Sequence, residues 1–192
     1  MERLRFRTVL LDPPWQERGG GRVKRGADRH YSLMSLRDIE RTARTCELFH
    51  LADDAHCWLW VTNTFLPQGL ELMRLLGFRY VTNTVWVKMK LARWTFRDDQ
   101  ITLDLAAKYL QLGLGQYQRG AHELLLFGVR GKAMLPATKD RLPSVVFAPR
   151  GRHSEKPVVF YSRIELISPA PRLEMFARLP RDGWTSWGSE VS

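Results

Sequence analysis

The stretch Thr8-Val9-Leu10-Leu11-Asp12-Pro13-Pro14-Trp15 decides how the chain is expected to fold. A short run that favours extended structure ends at a carboxylate and two prolines, which predicts a buried strand of a parallel sheet. Asp12 then lies at the carboxyl end of that strand, where open α/β sheets bind their ligands. Pro13 and Pro14 fix two successive φ angles and remove two backbone donors, so the loop is stiff and rich in acceptors.

Such a loop suits an exocyclic amino group on a flat ring. Asp12 is expected to accept one N–H of the amine, and the carbonyl of Pro13 or Pro14 the other, which frees the nitrogen lone pair. Trp15 is expected to cover the face of the ring. We interpret all four residues as catalytic, acting by positioning and charge rather than through a nucleophile. The alternative is an ordinary turn that ends a strand.

The rest of the chain alternates between extended and helical patterns, which predicts an α/β fold with a mostly parallel central sheet flanked by helices. Ser35 and Asp38 form a capping box that starts a helix. Pro157 is expected at the first position of another helix. Leu66, Leu70 and Met73 form a predicted buried stripe. Further strands are predicted at 55–62, 78–88, 121–129, 145–148 and 172–177, and helices at 65–76, 103–112 and 157–167; the first two of these strands and the helix 65–76 between them form a βαβ crossover.

Composition limits the class of protein. The 192 residues are long enough for one domain, 1–192, with a substantial core, and the net charge of +10 favours a polyanionic partner. Neither the two cysteines nor the five histidines have the spacing of metal ligands. We expect no signal peptide and no membrane span, and therefore a cytoplasmic protein without a membrane partner.

Two basic segments are candidates for contact with nucleic acid. The glycines of 19–21 and the arginines and lysine that follow predict a mobile lid that meets phosphates; the alternative is a solvated loop. Lys88, Lys90, Arg93 and Arg97 interleave with Trp86, Trp94 and Phe96. This mixture is typical of single-stranded or splayed nucleic acid, and equally of amphipathic side chains laid over a core edge.

Asp12-Pro13-Pro14-Trp15 resembles the catalytic motif of the MT-A70 family of S-adenosylmethionine-dependent adenine-N6 methyltransferases. The resemblance implies a Rossmann-like methyltransferase fold in which the catalytic motif precedes the cofactor motif, a permuted order. It covers nearly the whole chain and includes His30-Tyr31-Ser32-Leu33-Met34-Ser35, Leu59-Trp60-Val61-Thr62-Asn63, Val85-Trp86-Val87-Lys88, Ala121-His122-Glu123-Leu124, His153-Ser154-Glu155-Lys156-Pro157, Leu173-Glu174-Met175-Phe176-Ala177-Arg178 and Trp187-Gly188-Ser189-Glu190.

The same resemblance implies a cofactor site for S-adenosylmethionine. Taken alone, Glu174 would be read as a salt-bridged surface residue; by resemblance it binds the cofactor ribose, and Lys156 approaches the methionine carboxylate. Ser189 stands where the family commonly has asparagine, so we expect weaker or rearranged contacts, bridged by water or taken over by Glu190. The expected cofactor residues are Asp12, Lys156, Glu174, Phe176, Arg178, Ser189 and Glu190.

On the substrate side, the resemblance implies a set of residues around the target base or its backbone. The function implied is methyl transfer to the N6 amine of adenine in nucleic acid, with DNA slightly favoured over RNA. The alternatives are an N4-cytosine methyltransferase and a catalytically silent nucleic-acid-binding subunit. A domain of this size is expected to need a second copy or another chain to grip substrate, as a homodimer or heterodimer. The expected substrate residues are Tyr31, Trp60, Asn63, Lys88, Arg119 and Glu123.

Overall fold

The protein is described by a computed structural model that covers residues 3–16, 33–90, 109–113, 117–132, 134–151, 155–189 and 191. The strands are β1 (Phe6–Leu11), β2 (Leu51–Val61), β3 (Arg79–Met89), β4 (His122–Arg130), β5 (Val145–Pro149), β6 (Arg172–Met175) and β7 (Thr185–Trp187). The α helices are α1 (Leu36–Thr45), α2 (Leu66–Leu75) and α3 (Val159–Ile167), and short 3₁₀ turns occur at Asn63–Phe65 and Thr138–Asp140. Within these ranges an α helix follows each of the strands β1, β2 and β5.

All seven strands form one sheet in the order β5-β3-β4-β2-β1-β6-β7. Strand β4 is antiparallel to both neighbours, whereas the pairs β1–β2, β1–β6, β3–β5 and β6–β7 are parallel. Six strands therefore share one direction. The predicted α/β class with a mostly parallel sheet, consistent with a Rossmann-like methyltransferase fold, is confirmed.

The predicted crossover from β2 through α2 to β3 is parallel, but its two strands are not neighbours. Strand β4 lies between them, pairing Trp58 with Phe127 on one side and Trp86 with Glu123 on the other. Because β4 runs against the rest, its amino end lies at the carboxyl edge of the other strands. Glu123, the second residue of β4, is thereby brought to the edge that also carries Asp12.

The sheet is covered on both faces. Helices α1 and α2 pack on one face, where Ile39, Ala43, Leu72 and Met73 join a core that includes alternate residues of β1 and β2. Helix α3 covers the other face through Phe160 and Ile164, as the sequence predicts. That second core is rich in indole rings, and its buried members include Trp58, Trp60, Trp86 and Trp184.

Several local predictions are confirmed at residue level. Ser35 caps α1 by accepting a hydrogen bond from the backbone N–H of Asp38, and its hydroxyl lies 2.6 Å from the Asp38 carboxylate. This hydroxyl contact holds the pKa of Asp38 below its usual value. Gly77 follows α2 with a φ of +84°, a conformation that glycine adopts without a steric penalty.

Other local predictions are wrong. Leu70 is 36% exposed, because α2 turns Gly69 and Leu72 toward the sheet; a methyl group on Gly69 would lie 2.5 Å from Val61. Helix α3 begins at Val159 rather than Pro157, since the first turn is closed by the bond from the Phe160 N–H to the Pro157 carbonyl. Strand β7 was not predicted because three residues are too few to show a period. The predicted helix at 103–112 lies mostly outside the described residues.

None of the helices in the described ranges is long and apolar enough to cross a membrane. Within the same ranges, no group of three or more histidine, cysteine or acidic side chains is arranged to hold a metal ion. Both cysteines are free, with Cys57 buried in the core and Cys46 half-buried.

A buried polar cluster lies toward the amino ends of the strands. His56 is 1% exposed, and its Nδ1 lies 2.9 Å from the hydroxyl of Ser168, which also accepts a hydrogen bond from Trp58. Burial, assisted by the charge of Arg7, lowers the pKa of His56 to about 4. The ring is therefore neutral at physiological pH.

We predict that protonation of His56 makes the free energy of unfolding depend on pH. The pKa of His56 is about 4 in the folded protein and 6.5 in the unfolded chain. The stabilisation that the neutral, buried ring contributes to the fold is therefore complete above pH 6.5 and is lost as the pH falls through 4. The loss amounts to at most about 3 kcal/mol of unfolding free energy. Urea unfolding from pH 7.5 to 4.0 measures it. The variant His56→Gln should lack this part of the decline; an unchanged decline would contradict the prediction.

Candidate active site

The loop Asp12–Trp15 is hydrogen-bonded to Met175 at the end of β6 and to Met34 shortly before α1. The backbone N–H of Asp12 donates to the carbonyl of Met175 at the end of β6, at 3.4 Å. The Pro13 carbonyl accepts from the N–H of Trp15 at 2.9 Å, and the Pro14 carbonyl accepts from Met34 at 2.8 Å. A carbonyl oxygen has two lone pairs, so each proline retains capacity for one more donor. The loop is held in one conformation while keeping its acceptors.

Trp15 anchors this loop. Its indole N–H donates to the carbonyl of Trp60 at 3.0 Å, and its ring stacks on Phe65 at a centroid distance of 5.5 Å and an angle of 13°. Phe65 therefore covers one face of the indole, and a base could stack only on the other. Sequence reasoning missed Phe65, although it follows Asn63 at the carboxyl end of β2 and could have been found from that position.

Lys156 links two carboxylates at the centre of the site. Its Nζ lies 3.0 Å from Asp12 Oδ1 and 3.3 Å from Glu123 Oε2. The second oxygen of Glu123 accepts from Lys88 Nζ at 2.5 Å. These four side chains are 10% to 21% exposed, so their charges are poorly screened by solvent. The sheet thus brings Lys88 of β3 and Glu123 of β4 together with Asp12, just after β1, and Lys156, before α3, so that their charges alternate in sign along one row.

Burial and ion pairing shift the pKa values of Glu123 and Lys156 in opposite directions. Burial disfavours ionisation of Glu123, but the charges of Lys156 and Lys88 outweigh it and hold the pKa of Glu123 below its usual value. Burial likewise disfavours the charged form of Lys156, whereas Asp12 and Glu123 raise its pKa above the usual value. Glu123 and Lys156 are therefore both ionised at neutral pH, and their pairing stabilises the folded state between mildly acidic and strongly alkaline conditions.

Two indole rings lie beneath this network. Lys156 Nζ is 5.2 Å from the centre of the Trp60 ring, and Lys88 Nζ is 5.2 Å from that of Trp86. Both indoles are at most 2% exposed. Trp60, expected beside the target base, instead supports the cations from below, because its side chain points into the core under α3.

Glu174 lies on the neighbouring strand β6 and is 6% exposed. Its Oε1 accepts a hydrogen bond of 2.6 Å from the hydroxyl of Tyr161 on α3. The guanidinium of Arg181 lies 3.5 Å from the centre of the Tyr161 ring. Burial and the charge of Asp12 raise the pKa of Glu174, and the Tyr161 bond and Arg181 oppose that rise.

The end of β6 and the end of β7 approach each other closely. Phe176 has a φ of +64°, a strained conformation for a residue with a side chain, and its ring meets Trp187 edge-on at 5.9 Å. Ala177 donates to the carbonyl of Trp187 at 2.9 Å. Gly188 packs against the backbone of Ala177 so tightly that a Cβ would collide with it. Ser189, exposed, follows directly at this edge of the sheet.

The remaining predicted residues lie at the margins. Asn63 is exposed at the end of β2, Arg178 is half-buried after β6, and Arg119 is exposed with its Nε donating to the Gly113 carbonyl at 3.1 Å. Tyr31, Glu190 and the proposed lid at 19–29 lie outside the described residues. Tyr161 and Arg181 were missed: Tyr161 follows Lys156 closely enough to have been considered, whereas no sequence signal marks Arg181.

The residues brought together have complementary chemistry. Asp12 and the proline carbonyls accept hydrogen bonds from an amine, Lys156 can neutralise a ligand carboxylate, and Glu174 has an oxygen left for hydroxyl groups. The carboxylates and aromatic rings also suit a cationic ligand. The site can therefore hold an amine and a zwitterionic small molecule side by side.

Comparisons with known proteins identify the family of the chain. The family model described as MT-A70 matches residues 6–190. A probable N(6)-adenosine-methyltransferase MT-A70-like protein of Oryza sativa subsp. japonica is 27% identical over 97% of the chain, but the match covers 23% of that protein. The type II methyltransferase M.MunI of Mycoplasma sp is 26% identical over the whole chain and 80% of its own length. The N(6)-adenosine-methyltransferase catalytic subunit METTL3 of Homo sapiens is 26% identical over 95% of the chain and 27% of that protein. The chain thus spans about a quarter of the length of the rice and human proteins.

Proposed function

Because the chain belongs to the MT-A70 family, we propose that it transfers a methyl group from S-adenosylmethionine to the N6 amine of adenine in nucleic acid. The observation that carries this proposal is the Asp12 carboxylate at the carboxyl end of β1, with the Pro13 carbonyl beside it and Lys156 Nζ at 3.0 Å. These groups suit an amine and the acidic end of a cofactor in adjacent positions.

The cofactor residues fit S-adenosylmethionine by their chemistry. Lys156 supplies a positive charge for the methionine carboxylate, and Glu174 supplies a carboxylate oxygen for the ribose hydroxyls. When bound, the cofactor supplies an electrophilic methyl group on a sulfonium. Asp12 and a proline carbonyl accept the two N–H groups of the adenine amine, which localises the nitrogen lone pair and directs it at that methyl. The proton released from the amine passes to Asp12 or to solvent.

Nucleic acid as the methyl acceptor is supported by charge. The chain carries a net charge of +10, and the exposed Arg119 and Arg150 lie on segments that border the site. Cationic side chains at such positions neutralise backbone phosphates. If the acceptor is a duplex, the adenine must leave the base stack, which costs a few kcal/mol.

A methyl-transfer assay with labelled S-adenosylmethionine tests the proposal. Single- and double-stranded DNA and RNA are offered, digested to nucleosides and analysed by mass spectrometry, so that the sugar on the product separates DNA from RNA. We expect N6-methyladenine. N4-methylcytosine would instead show the alternative amine as the target. The absence of both product and cofactor binding would contradict the proposal and favour a silent nucleic-acid-binding subunit, which the serine at 189 also favours.

We further propose that the protein acts with a second chain, a second copy or a different protein. The human relative is named as a catalytic subunit. Light scattering with and without nucleic acid measures the assembly. A mass equal to one chain in both conditions, with full activity, would contradict this proposal.

We predict that Ser189→Asn strengthens cofactor binding several-fold. Ser189 is exposed beside the close contact of Gly188 with Ala177, and asparagine adds an amide donor and a carbonyl acceptor at longer reach. Calorimetry with S-adenosylmethionine measures the change. Ser162→Asn on α3 is the control for a general effect of the substitution. Weaker binding by Ser189→Asn would show that the serine is adapted to this pocket.

A further inference from the structure

The hydroxyl group of Tyr161 is hydrogen-bonded to the carboxylate of Glu174. It donates to Glu174 Oε1 at 2.6 Å, a short distance that is typical of a hydroxyl bonded to a charged carboxylate. Burial, together with the Glu174 charge, raises the pKa of Tyr161, so the phenol keeps its proton and stays a donor throughout the physiological range. The proposed mechanism does not use this residue.

The Tyr161 ring is fixed from two sides. The Arg181 guanidinium lies 3.5 Å from its centroid, and the indole of Trp184 meets it edge-on at 5.8 Å and 86°. Trp184 is itself held by the bond from its Nε1 to Glu165 at 2.8 Å. A ring held in this way presents its hydroxyl in one direction, so the Glu174 carboxylate has a rigid partner rather than a mobile one.

Glu174 needs such a partner. It is buried, and the charge of Asp12 adds to the tendency of the carboxylate to take up a proton. A protonated Glu174 would lose an acceptor oxygen for a ligand hydroxyl. The opposing groups that face it are Tyr161 on α3 and Arg181 after β6.

We infer that Tyr161 is a positioning residue for the cofactor: its hydroxyl fixes one oxygen of Glu174 and leaves the other oriented toward the ribose hydroxyls. This inference rests on the proposed function, because Glu174 is taken as the ribose-binding residue. Tyr161 itself does not touch the cofactor in this arrangement and acts through the carboxylate.

The variant Tyr161→Phe tests the inference, since it deletes the hydroxyl and keeps the ring. Calorimetry should show about tenfold weaker binding of S-adenosylmethionine at pH 7.5, the loss expected for one charge-assisted hydrogen bond. Affinity should also decline at a higher pH than in the wild type as the solution is acidified, because Glu174 then takes up its proton more readily. Tyr80→Phe is the matched control: it deletes a hydroxyl that contacts Asn83 on β3.

A measurement without cofactor separates the two proposals. The titration of Glu174, followed by carbon NMR and assigned with Glu174→Gln, should move to higher pH in Tyr161→Phe and stay unchanged in Tyr80→Phe. An unchanged titration, or a loss of affinity equal at every pH, would overturn the inference. A wild-type protein that binds no S-adenosylmethionine would overturn the proposed function and the ribose role of Glu174, while the titration would still establish the contact.

Discussion

Replacing Asp12 with alanine is expected to lower methyl transfer at least about 100-fold, the usual loss when a polar group that positions reacting atoms is removed. Asp12 is the carboxylate next to the stiff proline loop, and its Oδ1 lies 3.0 Å from Lys156 Nζ. Without it, the amine loses one of its two acceptors and its lone pair stays delocalised in the ring. Single-turnover rates with saturating cofactor measure the loss directly.

Cofactor binding should persist in Asp12→Ala, because Glu174 and Lys156 both remain and Glu123 still pairs with Lys156 at 3.3 Å. Asp53→Ala is a suitable control, since Asp53 is an exposed residue near the amino end of β2 that contacts Arg5 at 3.8 Å. Activity of Asp12→Ala above about a tenth of the wild-type rate would refute the assigned role of Asp12.

Lys156→Ala is expected to affect both binding and stability. Removing one partner of a buried ion pair costs about 3 to 5 kcal/mol of unfolding free energy, because it leaves the other charges uncompensated. Here Asp12 loses its partner, whereas Glu123 keeps Lys88 at 2.5 Å. Binding of S-adenosylmethionine should weaken at least about tenfold, since a charged contact is lost. Lys156→Met removes the charge but keeps an unbranched side chain. Comparing it with Lys156→Ala therefore separates the effect of the lost charge from the effect of the lost alkyl stem.

The acid dependence of Lys156→Ala gives an independent check. The pKa of Glu123 is lower in the folded wild type than its value of about 4.5 in the unfolded chain. Ionised Glu123 therefore stabilises the fold above pH 4.5, and this stabilisation is lost as the pH falls through the folded pKa. The destabilisation by Lys156→Ala should therefore be largest near pH 7 and shrink toward pH 4. Lys139→Ala, at an exposed position, is the control. Unchanged cofactor affinity in both Lys156→Ala and Glu174→Ala would refute the pocket.

The sequence predicted the parts of the site that depend on local pattern. An apolar run that stops at a carboxylate and two prolines is enough to place Asp12 at a strand end. The capping box at Ser35 and the stop at Gly77 are equally local, since each depends on contacts within a few residues. Glu174 and Lys156 required the family resemblance, because neither residue stands out by spacing or composition.

The assembly of the charge network could not be predicted from pattern. Glu123 reaches Lys156 only because β4 runs against its neighbours, and the sequence of β4 contains nothing that sets its direction. The contact between Tyr161 and Glu174 could not be predicted from pattern either, because it joins α3 to the sheet across the core. The side of the sheet on which the Trp60 ring lies was open for a related reason, because the face that a strand residue presents depends on register.

The reversed direction of β4 also bears on how such a protein can change in evolution. The chain leaves the sheet after β3 and returns at the start of β4, and the N–H of Lys88 donates to the Ala121 carbonyl at 2.8 Å where the two ends meet. Any sequence inserted between residues 90 and 121 therefore starts and finishes at the same point beside the ion pairs. Residues 109 to 111 are themselves attached to the end of β3, since the N–H of Lys90 donates to the Tyr109 carbonyl at 3.0 Å and the N–H of Gln111 donates to the Lys88 carbonyl at 2.8 Å. We therefore expect a change of length between residues 90 and 109 to leave the register of β3 and β4, and the pairing of Lys88 with Glu123, unchanged. This stretch is thus a place where the chain can diverge in evolution while the ion pairs are kept.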